Sequence, residues 1–204
     1  MDEIVIKARS NVSELVFLFH GYGADKNDLL PIGEIFSETR SGAEVHLPNG
    51  VESCDEGFGR QWFSLAGNDV KTWEAAFVKN TPKIMSGIDE VIGEKKLSYS
   101  DVIFAGFSQG AMMSLSLGLQ YGVKAVAAFS GLLLGSADCG RGKKTKILLA
   151  RGARDTVIPT EAAHLTEKAL KQIGADVETV ISPNLGHGID NYLSARAVDF
   201  LKSL

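Results

Sequence analysis

A serine lies between two glycines in the segment GFSQG at residues 106–110, directly after the apolar run Val102–Ala105. The almost wholly apolar stretch from Ala111 to Leu119 follows and predicts a buried helix. G-x-S-x-G between a strand and a helix indicates a sharp turn that projects the serine alone above a sheet. The glycines are needed because strand and helix approach too closely for a Cβ. Ser108 is therefore the predicted nucleophile for attack on a carbonyl carbon, the alternative being a serine that only caps the helix.

A serine hydroxyl is a weak nucleophile, so it needs a base, and the base needs an orienting acid. With this type of serine turn, the chain order is serine, acid, histidine. Two histidines follow Ser108. His164 lies among charged residues on a predicted solvated helix, whereas His187 lies between two glycines after the last predicted strand. We therefore predict His187 as the base, with a structural histidine in a turn as the alternative.

Asp155 is the predicted acid because it follows the predicted strand Lys146–Ala150. A loop beyond this strand end would place the carboxylate beside the loop that carries the predicted base. The rivals are Asp138, which precedes a short basic cluster, and Asp176, which begins a strand at the opposite edge of the sheet. The alternative for Asp155 is a turn residue or a partner for a neighbouring arginine.

An acyl-transfer site also needs N–H donors for the oxyanion that develops on the carbonyl oxygen. One predicted donor is the backbone N–H of Gln109, the residue after the nucleophile. The second comes from HGYG at residues 20–23, after the predicted strand Leu15–Phe19, and the backbone of Tyr22 is the predicted group. His20 precedes the acid in the chain, so we predict that it holds this loop and is not the base.

Short apolar runs alternate with longer helical patterns along the chain. Several runs are continuously apolar, as expected for parallel strands that are covered on both faces. The fold class predicted is α/β, with a mainly parallel sheet, helices on both faces, and a ligand site beyond the carboxyl ends of the strands. The predicted strands are Ile4–Ala8, Leu15–Phe19, Val45–Leu47, Val102–Ala105, Val123–Phe129, Ile147–Ala150 and Val177–Ile181.

Two segments between the strands need separate interpretation. The apolar residues from Trp73 to Val91 approximate one helical face, but Thr81-Pro82 predicts a break, with a second helix beginning there. The glycine- and aromatic-rich segment Pro48–Leu65 fits neither a helix nor a strand. A loop of this length inside a compact domain is typically a lid or a pocket wall.

Composition limits the class of protein. The chain has 204 residues, which predicts a single domain over residues 1–204 without room for a cap. The 45% hydrophobic and 23% charged residues exclude a disordered or coiled-coil chain. A net charge of −4 provides no broad cationic field, so we expect no nucleic acid partner.

The cellular compartment follows from what the sequence lacks. No apolar run reaches the roughly 18 residues of a transmembrane helix. The acidic first residues are unlike a secretory signal. Cys54 and Cys139 form no metal-binding spacing and are interpreted as free thiols, the alternative being a disulfide between them. These features predict a cytoplasmic protein.

The chain resembles the phospholipase/carboxylesterase family of α/β-hydrolases, which includes the acyl-protein thioesterases. The resemblance covers essentially the whole length. The motifs that carry it are FHGYG at 19–23, RQWF at 60–63, GFSQGA at 106–111, DTVIP at 155–159 and GHGI at 186–189. Two positions depart from the family pattern. Arg151-Gly152 replaces a His-Gly pair before the acid loop, and Ala111 replaces a glycine, so Arg151 is expected to alter the surroundings of Asp155 or the charge preference at the mouth of the site.

The resemblance implies an α/β-hydrolase fold and hydrolysis of carboxylic esters or thioesters by a Ser108–His187–Asp155 triad. It places the oxyanion donors at the backbone of Tyr22 and Gln109, and it implies that Trp62 and its loop border the acyl channel. The implied substrates are small esters or thioesters, including lysophospholipids and acylated proteins. This mechanism needs no metal and no organic cofactor.

The sequence leaves open two other functions and a homodimer. A hydrolase-fold protein could bind a small ligand without turnover, because fold alone does not fix function. A serine peptidase on the same fold usually carries a cap or a second domain, for which this chain is too short. Exposed aromatic residues in the Pro48–Leu65 loop could also serve a homodimer contact.

Overall fold

The computed structural model describes residues 1–67, 69–135 and 144–204. Within these residues, seven strands form the central sheet in the order β1-β3-β2-β6-β7-β8-β9. The strands are β1 (Glu3–Ile6), β2 (Glu14–Phe19), β3 (Ala43–Pro48), β6 (Val102–Phe107), β7 (Ala125–Phe129), β8 (Lys146–Gly152) and β9 (Asp176–Ser182). Strand β1 pairs antiparallel with β3, and the other neighbours are parallel. A separate hairpin joins β4 (Glu52–Ser53) and β5 (Arg60–Gln61).

The helices cover both faces of the sheet. They are α1 (Leu30–Thr39), α2 (Val70–Lys95), α3 (Gln109–Tyr121), α4 (Thr160–Gln172) and α5 (Asn191–Lys202). Helices α2, α3 and α4 contribute to one apolar core and helices α1 and α5 to the other. The mainly parallel sheet with helices on both faces is confirmed.

Strand β2 shows why the predicted strands are continuously apolar. Leu15, Phe17 and Phe19 belong to the core under α2, α3 and α4, whereas Val16 and Leu18 belong to the core under α1 and α5. Successive side chains of a strand point to opposite faces, so a strand that is covered on both faces buries every residue.

The predicted break at Thr81-Pro82 is wrong, because α2 continues through Pro82. A proline inside a helix lacks an N–H donor and costs about 3 kcal/mol or more. Here the buried residues Phe77, Ile84 and Ile88 lie on both sides of the proline and pack into one core. The burial of this continuous apolar face outweighs the local preference for a break.

The topology brings the predicted site residues to one edge of the sheet. Parallel strands have their carboxyl ends at the same edge. Tyr22 follows β2, Ser108 follows β6, Asp155 follows β8 and His187 follows β9. Strands β2 and β6 are neighbours, as are β8 and β9, so the loops are expected to lie side by side in pairs.

Among residues 1–67, 69–135 and 144–204, every helix is too short or too polar to cross a lipid bilayer.

Candidate active site

Ser108 occupies the predicted sharp turn between β6 and α3. Its backbone has φ 53° and ψ −114°, a conformation that L-residues rarely adopt. A Cβ on Gly106 would lie 2.4 Å from the carbonyl carbon of Gly110, and one on Gly110 would lie 2.0 Å from the carbonyl oxygen of Phe19. Neither position can therefore carry a side chain. The Ser108 N–H donates to the carbonyl oxygen of Phe129 at 2.9 Å, which ties the turn to the next strand.

Asp155 and His187 are in direct contact. The distance from His187 Nδ1 to Asp155 Oδ2 is 2.9 Å, and the Asp155 side chain is 0% exposed. The other carboxylate oxygen, Oδ1, accepts hydrogen bonds from the N–H groups of Val157 at 2.9 Å and Ile158 at 3.0 Å. The side chain thus uses one oxygen to fix itself to its own loop and the other to hold the imidazole.

These contacts determine the charge of Asp155 and the tautomer of His187. Burial alone would raise the pKa of the Asp155 carboxyl group, but the hydrogen bonds from His187 and from the two backbone N–H groups outweigh it and hold the pKa below its ordinary value. The carboxyl group is therefore ionised at neutral pH. Because an ionised carboxylate only accepts hydrogen bonds, the proton of the neutral imidazole is on Nδ1 and the lone pair of Nε2 is free.

Ser108 lies beside this pair without bonding to it. The ring of Phe107, the residue before Ser108, packs against the His187 ring with 4.7 Å between centroids. Ser108 is partly exposed, and the described residues provide no hydrogen bond between its Oγ and His187. Contacts between a nucleophile and its base are often loose in unliganded enzymes and tighten only when substrate binds.

The loop that carries Tyr22 passes close to Ser108. A Cβ on Gly21 would lie 3.6 Å from Ser108 Cβ. The N–H groups of Tyr22 and Gln109, the two predicted oxyanion donors, have no acceptor among the hydrogen bonds of the described residues. Both are thus available to an oxygen that is bound at this position.

His20 holds this loop, as predicted. Its Nδ1 donates to the carbonyl oxygen of Gly21 at 2.7 Å, and its Nε2 accepts from the N–H of Gly50 at 2.9 Å. Burial lowers the pKa of His20, so the imidazole is neutral and can both donate and accept. The same histidine therefore links the Tyr22 loop to the start of the Pro48–Leu65 segment.

Trp62 forms hydrogen bonds both to Gln109 and to the loop that carries Tyr22, the two predicted oxyanion donors. Its Nε1 donates to the carbonyl oxygen of His20 at 2.9 Å, and its backbone N–H donates to Gln109 Oε1 at 3.0 Å. The ring packs against His20 and Phe19 and is only 1% exposed. In this structure the side chain supports the oxyanion loop, and its contact with substrate stays a prediction.

One residue of this network, Asn80, was not singled out from the sequence. Asn80 Nδ2 donates to the carbonyl oxygen of Trp62 at 2.9 Å, and Arg60 Nε donates to that of Gly50 at 2.9 Å. The hydroxyl group of Tyr22 is hydrogen-bonded to Cys54, and burial together with this bond raises the pKa of Tyr22. The signal for Asn80 was a polar residue within the apolar face of a helix.

The Pro48–Leu65 segment contains a short hairpin and has both buried and exposed aromatic residues. Trp62 and Phe63 are buried, whereas Phe58 is 68% exposed at the tip. Cys54 is buried and free, as expected. Whether this segment acts as a lid stays a prediction.

The rival residues lie away from this site or outside the described residues. His164 is exposed on α4, as predicted. Asp176 begins β9, at the end of the strand opposite the site. Asp138 and Cys139 lie outside the described residues.

An apolar cavity of about 360 Å³ adjoins His187. It lies between the start of α1 and the loop before α5, and its lining includes Leu29, Ile32, Phe107 and Ile189. A hydrophobic group bound in this cavity would lie next to the imidazole.

We expect Trp62→Phe to lower kcat/KM for ester hydrolysis by about 10-fold, or about 1.4 kcal/mol. The substitution keeps an aromatic ring but removes the donor to His20, so the oxyanion loop loses its support. Trp73→Phe is a matched control, because Trp73 Nε1 donates to the carbonyl oxygens of Leu65 and Gly67, away from Ser108. Steady-state kinetics and denaturant unfolding of both variants test this. Equal losses of kcat/KM in the two variants would contradict the positioning role.

Comparison with known proteins identifies a family for this chain and solved structures with the same fold. The family profile described as Phospholipase/Carboxylesterase matches residues 1–204. Esterase YpfH of Escherichia coli (strain K12) is 30% identical over 98% of this chain and 88% of its own length. Acyl-protein thioesterase 1 of Gibberella zeae is 25% identical over 90% of this chain and 87% of its own length. The crystal structure of esterase PE8 superposes with a TM-score of 0.90 at 30% identity, covering 99% of this chain and 98% of that one.

The parallel sheet and the strained serine turn, together with these structural neighbours, define an α/β-hydrolase. More narrowly, the chain belongs to the phospholipase/carboxylesterase family. It is a carboxylesterase-like hydrolase of the ester and thioester type, which confirms the resemblance and favours an enzyme over a protein that binds without turnover.

Proposed function

We propose that this hydrolase cleaves carboxylic esters or thioesters through an acyl-enzyme formed on Ser108, with His187 as the base and Asp155 as the orienting acid. The observation that carries the proposal is the 2.9 Å hydrogen bond between Asp155 and His187, beside a serine held at φ 53°. In the neutral imidazole, the ionised carboxylate holds the proton on Nδ1 and leaves the lone pair of Nε2 for the serine proton, as a general base requires.

In the first half of the reaction, Ser108 Oγ attacks the carbonyl carbon while Nε2 of His187 accepts its proton. The oxyanion receives hydrogen bonds from the N–H groups of Tyr22 and Gln109, and the start of α3 adds a favourable dipole. The C–O or C–S bond then breaks as His187 gives its proton to the leaving alcohol or thiol.

In the second half, His187 takes a proton from water, and the resulting hydroxide attacks the acyl-enzyme. The same two N–H groups stabilise the second oxyanion. Collapse of this intermediate returns the proton to Ser108 Oγ and releases a carboxylic acid. Asp155 stays ionised throughout and stabilises the imidazolium in both halves.

The substrate class is part of this proposal. The apolar cavity beside His187 supports an ester or thioester with a hydrophobic group. The name of the Gibberella zeae relative, acyl-protein thioesterase 1, supports an acylated protein as substrate, and the family description supports a lysophospholipid.

We also propose a cytoplasmic location, which the free thiol of Cys54 supports. We further propose a homodimer through the exposed Phe58, which analytical sedimentation tests directly.

Labelling with an alkyl fluorophosphonate tests the nucleophile. Ser108 Oγ is expected to displace fluoride and form one Oγ–P bond per chain, located by mass spectrometry of the peptide that contains residues 106–110. Because activation depends on the base, His187→Ala is expected to slow labelling by about 100-fold or more. His164→Ala, which changes an exposed histidine, serves as the control and should label at the wild-type rate. An adduct on another residue, or equal rates in the two variants, would overturn the proposal.

A further inference from the structure

A second cavity lies away from the proposed catalytic residues, between α4 and the strands β8 and β9. Its volume is about 170 Å³, similar to the roughly 150 Å³ of an engineered protein cavity that binds benzene. Ser108, Asp155, His187 and Tyr22 are absent from its lining. The cavity can therefore hold a molecule of about six non-hydrogen atoms that is distinct from one bound at Ser108.

Arg151 lines this cavity and is only 9% exposed. Its Nε donates to the carbonyl oxygen of Gly152 at 3.2 Å, and its Nη2 donates to Thr160 Oγ1 at 2.9 Å. Its Nη1 is buried without a hydrogen-bond partner. In the part of the chain that the structure describes, no carboxylate forms an ion pair with Arg151. A guanidinium group is always charged, so a buried positive charge is left without a counter-ion.

The carboxylate of Glu167, which also lines the cavity, is already paired. Glu167 pairs with Lys171 at 2.6 Å, and this hydrogen bond is the main reason that its pKa lies below the ordinary value. A trapped water could accept a hydrogen bond from Nη1 but could not balance the charge of Arg151, and an uncompensated buried charge is costly. An anion would both accept a hydrogen bond from Nη1 and balance the charge of Arg151.

The start of α4 also favours an anion at this place. Thr160 and Ala163 belong to the first turn of α4 and line the cavity, so the free N–H groups and the positive end of the helix dipole lie at its edge.

Ala128, Leu149, Ala150, Ala163 and Ile181 contribute apolar surface to the lining. Thr166, Thr179, His164 and the paired Glu167 add polar groups. Apolar surface beside one buried cation suits a molecule with a short aliphatic body and one carboxylate. We propose that this cavity is a binding site for a short aliphatic monocarboxylate, whose carboxylate pairs with Arg151 and whose chain contacts the small apolar residues.

Binding of sodium butyrate to the full chain tests this proposal, with nuclear magnetic resonance of backbone amides as the readout. We expect saturable shifts at Thr160, Ala163 and Thr179, and weaker binding of butyramide, which has the same shape without the charge. Arg151→Met is expected to raise the Kd for butyrate by about 10-fold or more, because a charge-assisted hydrogen bond is lost. Arg154→Met is the matched control. Arg154 is exposed on the loop that follows β8, and this variant should bind as the wild type does.

A second variant keeps the test decisive if Arg151→Met fails to fold. Ala163→Leu leaves Arg151 in place but fills the cavity, and it is expected to abolish the butyrate shifts. Shifts that are confined to residues around Ser108 and His187, shifts that persist in the Arg151 and Ala163 variants, or no saturable binding would overturn the proposal. The readout is binding, so its result does not depend on whether Ser108 is the nucleophile.

Discussion

Replacing Ser108 with alanine is expected to lower kcat for ester hydrolysis by about 10⁴- to 10⁶-fold while leaving the fold intact. The loss is large because, in the proposed mechanism, Oγ forms the acyl bond and no other side chain replaces it. The fold should survive because alanine keeps the same Cβ in the same strained backbone, and the Ser108 N–H can still donate to Phe129. Pre-steady-state kinetics with an activated ester, together with the thermal unfolding midpoint, test both parts.

Ser114→Ala is the matched control for this experiment. Ser114 is buried on α3, the same helix, and its Oγ donates to the carbonyl oxygen of Gly110 at 2.8 Å. Its loss should destabilise the protein by about 1 kcal/mol and change kcat by only a few-fold. If Ser108→Ala kept more than a few per cent of the wild-type kcat, the acyl-enzyme mechanism would be wrong.

Asp155→Asn is expected to lower kcat by about 10⁴-fold through the tautomer of His187. The N–H groups of Val157 and Ile158 both donate to one carboxylate oxygen, so the asparagine carbonyl oxygen will take that position. The amide NH₂ group then faces His187 Nδ1 and donates to it. This arrangement moves the imidazole proton to Nε2, where it blocks the base.

The ionisation of Asp155 predicts how its contribution depends on pH. The pKa of Asp155 is held below its ordinary value of about 3.9, so the carboxylate is present throughout neutral and mildly acidic pH. Its contribution to the stability of the native state is complete above the unfolded-state pKa and is lost as the pH falls through the lower native pKa. Titration of Asp155 itself should therefore add no pH dependence to the wild-type kcat between about pH 6 and 8.

Asp190→Asn controls for the loss of a carboxylate near the site. Asp190 caps α5, where it accepts from the N–H of Leu193 at 2.8 Å and from the hydroxyl group of Ser182 at 2.6 Å. We expect this variant to change stability by about 1 kcal/mol and kcat by only a few-fold. A comparable loss of kcat in both variants would contradict a specific role of Asp155 in orienting His187.

The continuity of helix α2 and the direction of the Trp62 side chain could not be predicted from local sequence patterns. Thr81-Pro82 carries the local signals of a helix start, yet the continuous packing of Phe77 and Ile84 against the core keeps one helix through the proline. Trp62 turns inward, because its Nε1 and N–H find acceptors on His20 and Gln109, and its place at the border of the acyl channel stays a prediction. Both outcomes depend on partners that are distant in the chain.

The sequence by itself determined the alternation of strands and helices, the glycine-flanked turn at Ser108 and the histidine that holds the oxyanion loop. These features are readable because each rests on short-range rules, such as the period of apolar residues and the space that a Cβ needs. Only the tertiary structure decided the continuity of α2, the inward direction of Trp62 and the isolation of the Arg151 charge. These depend on long-range packing, which determines which buried polar groups find a partner and which do not.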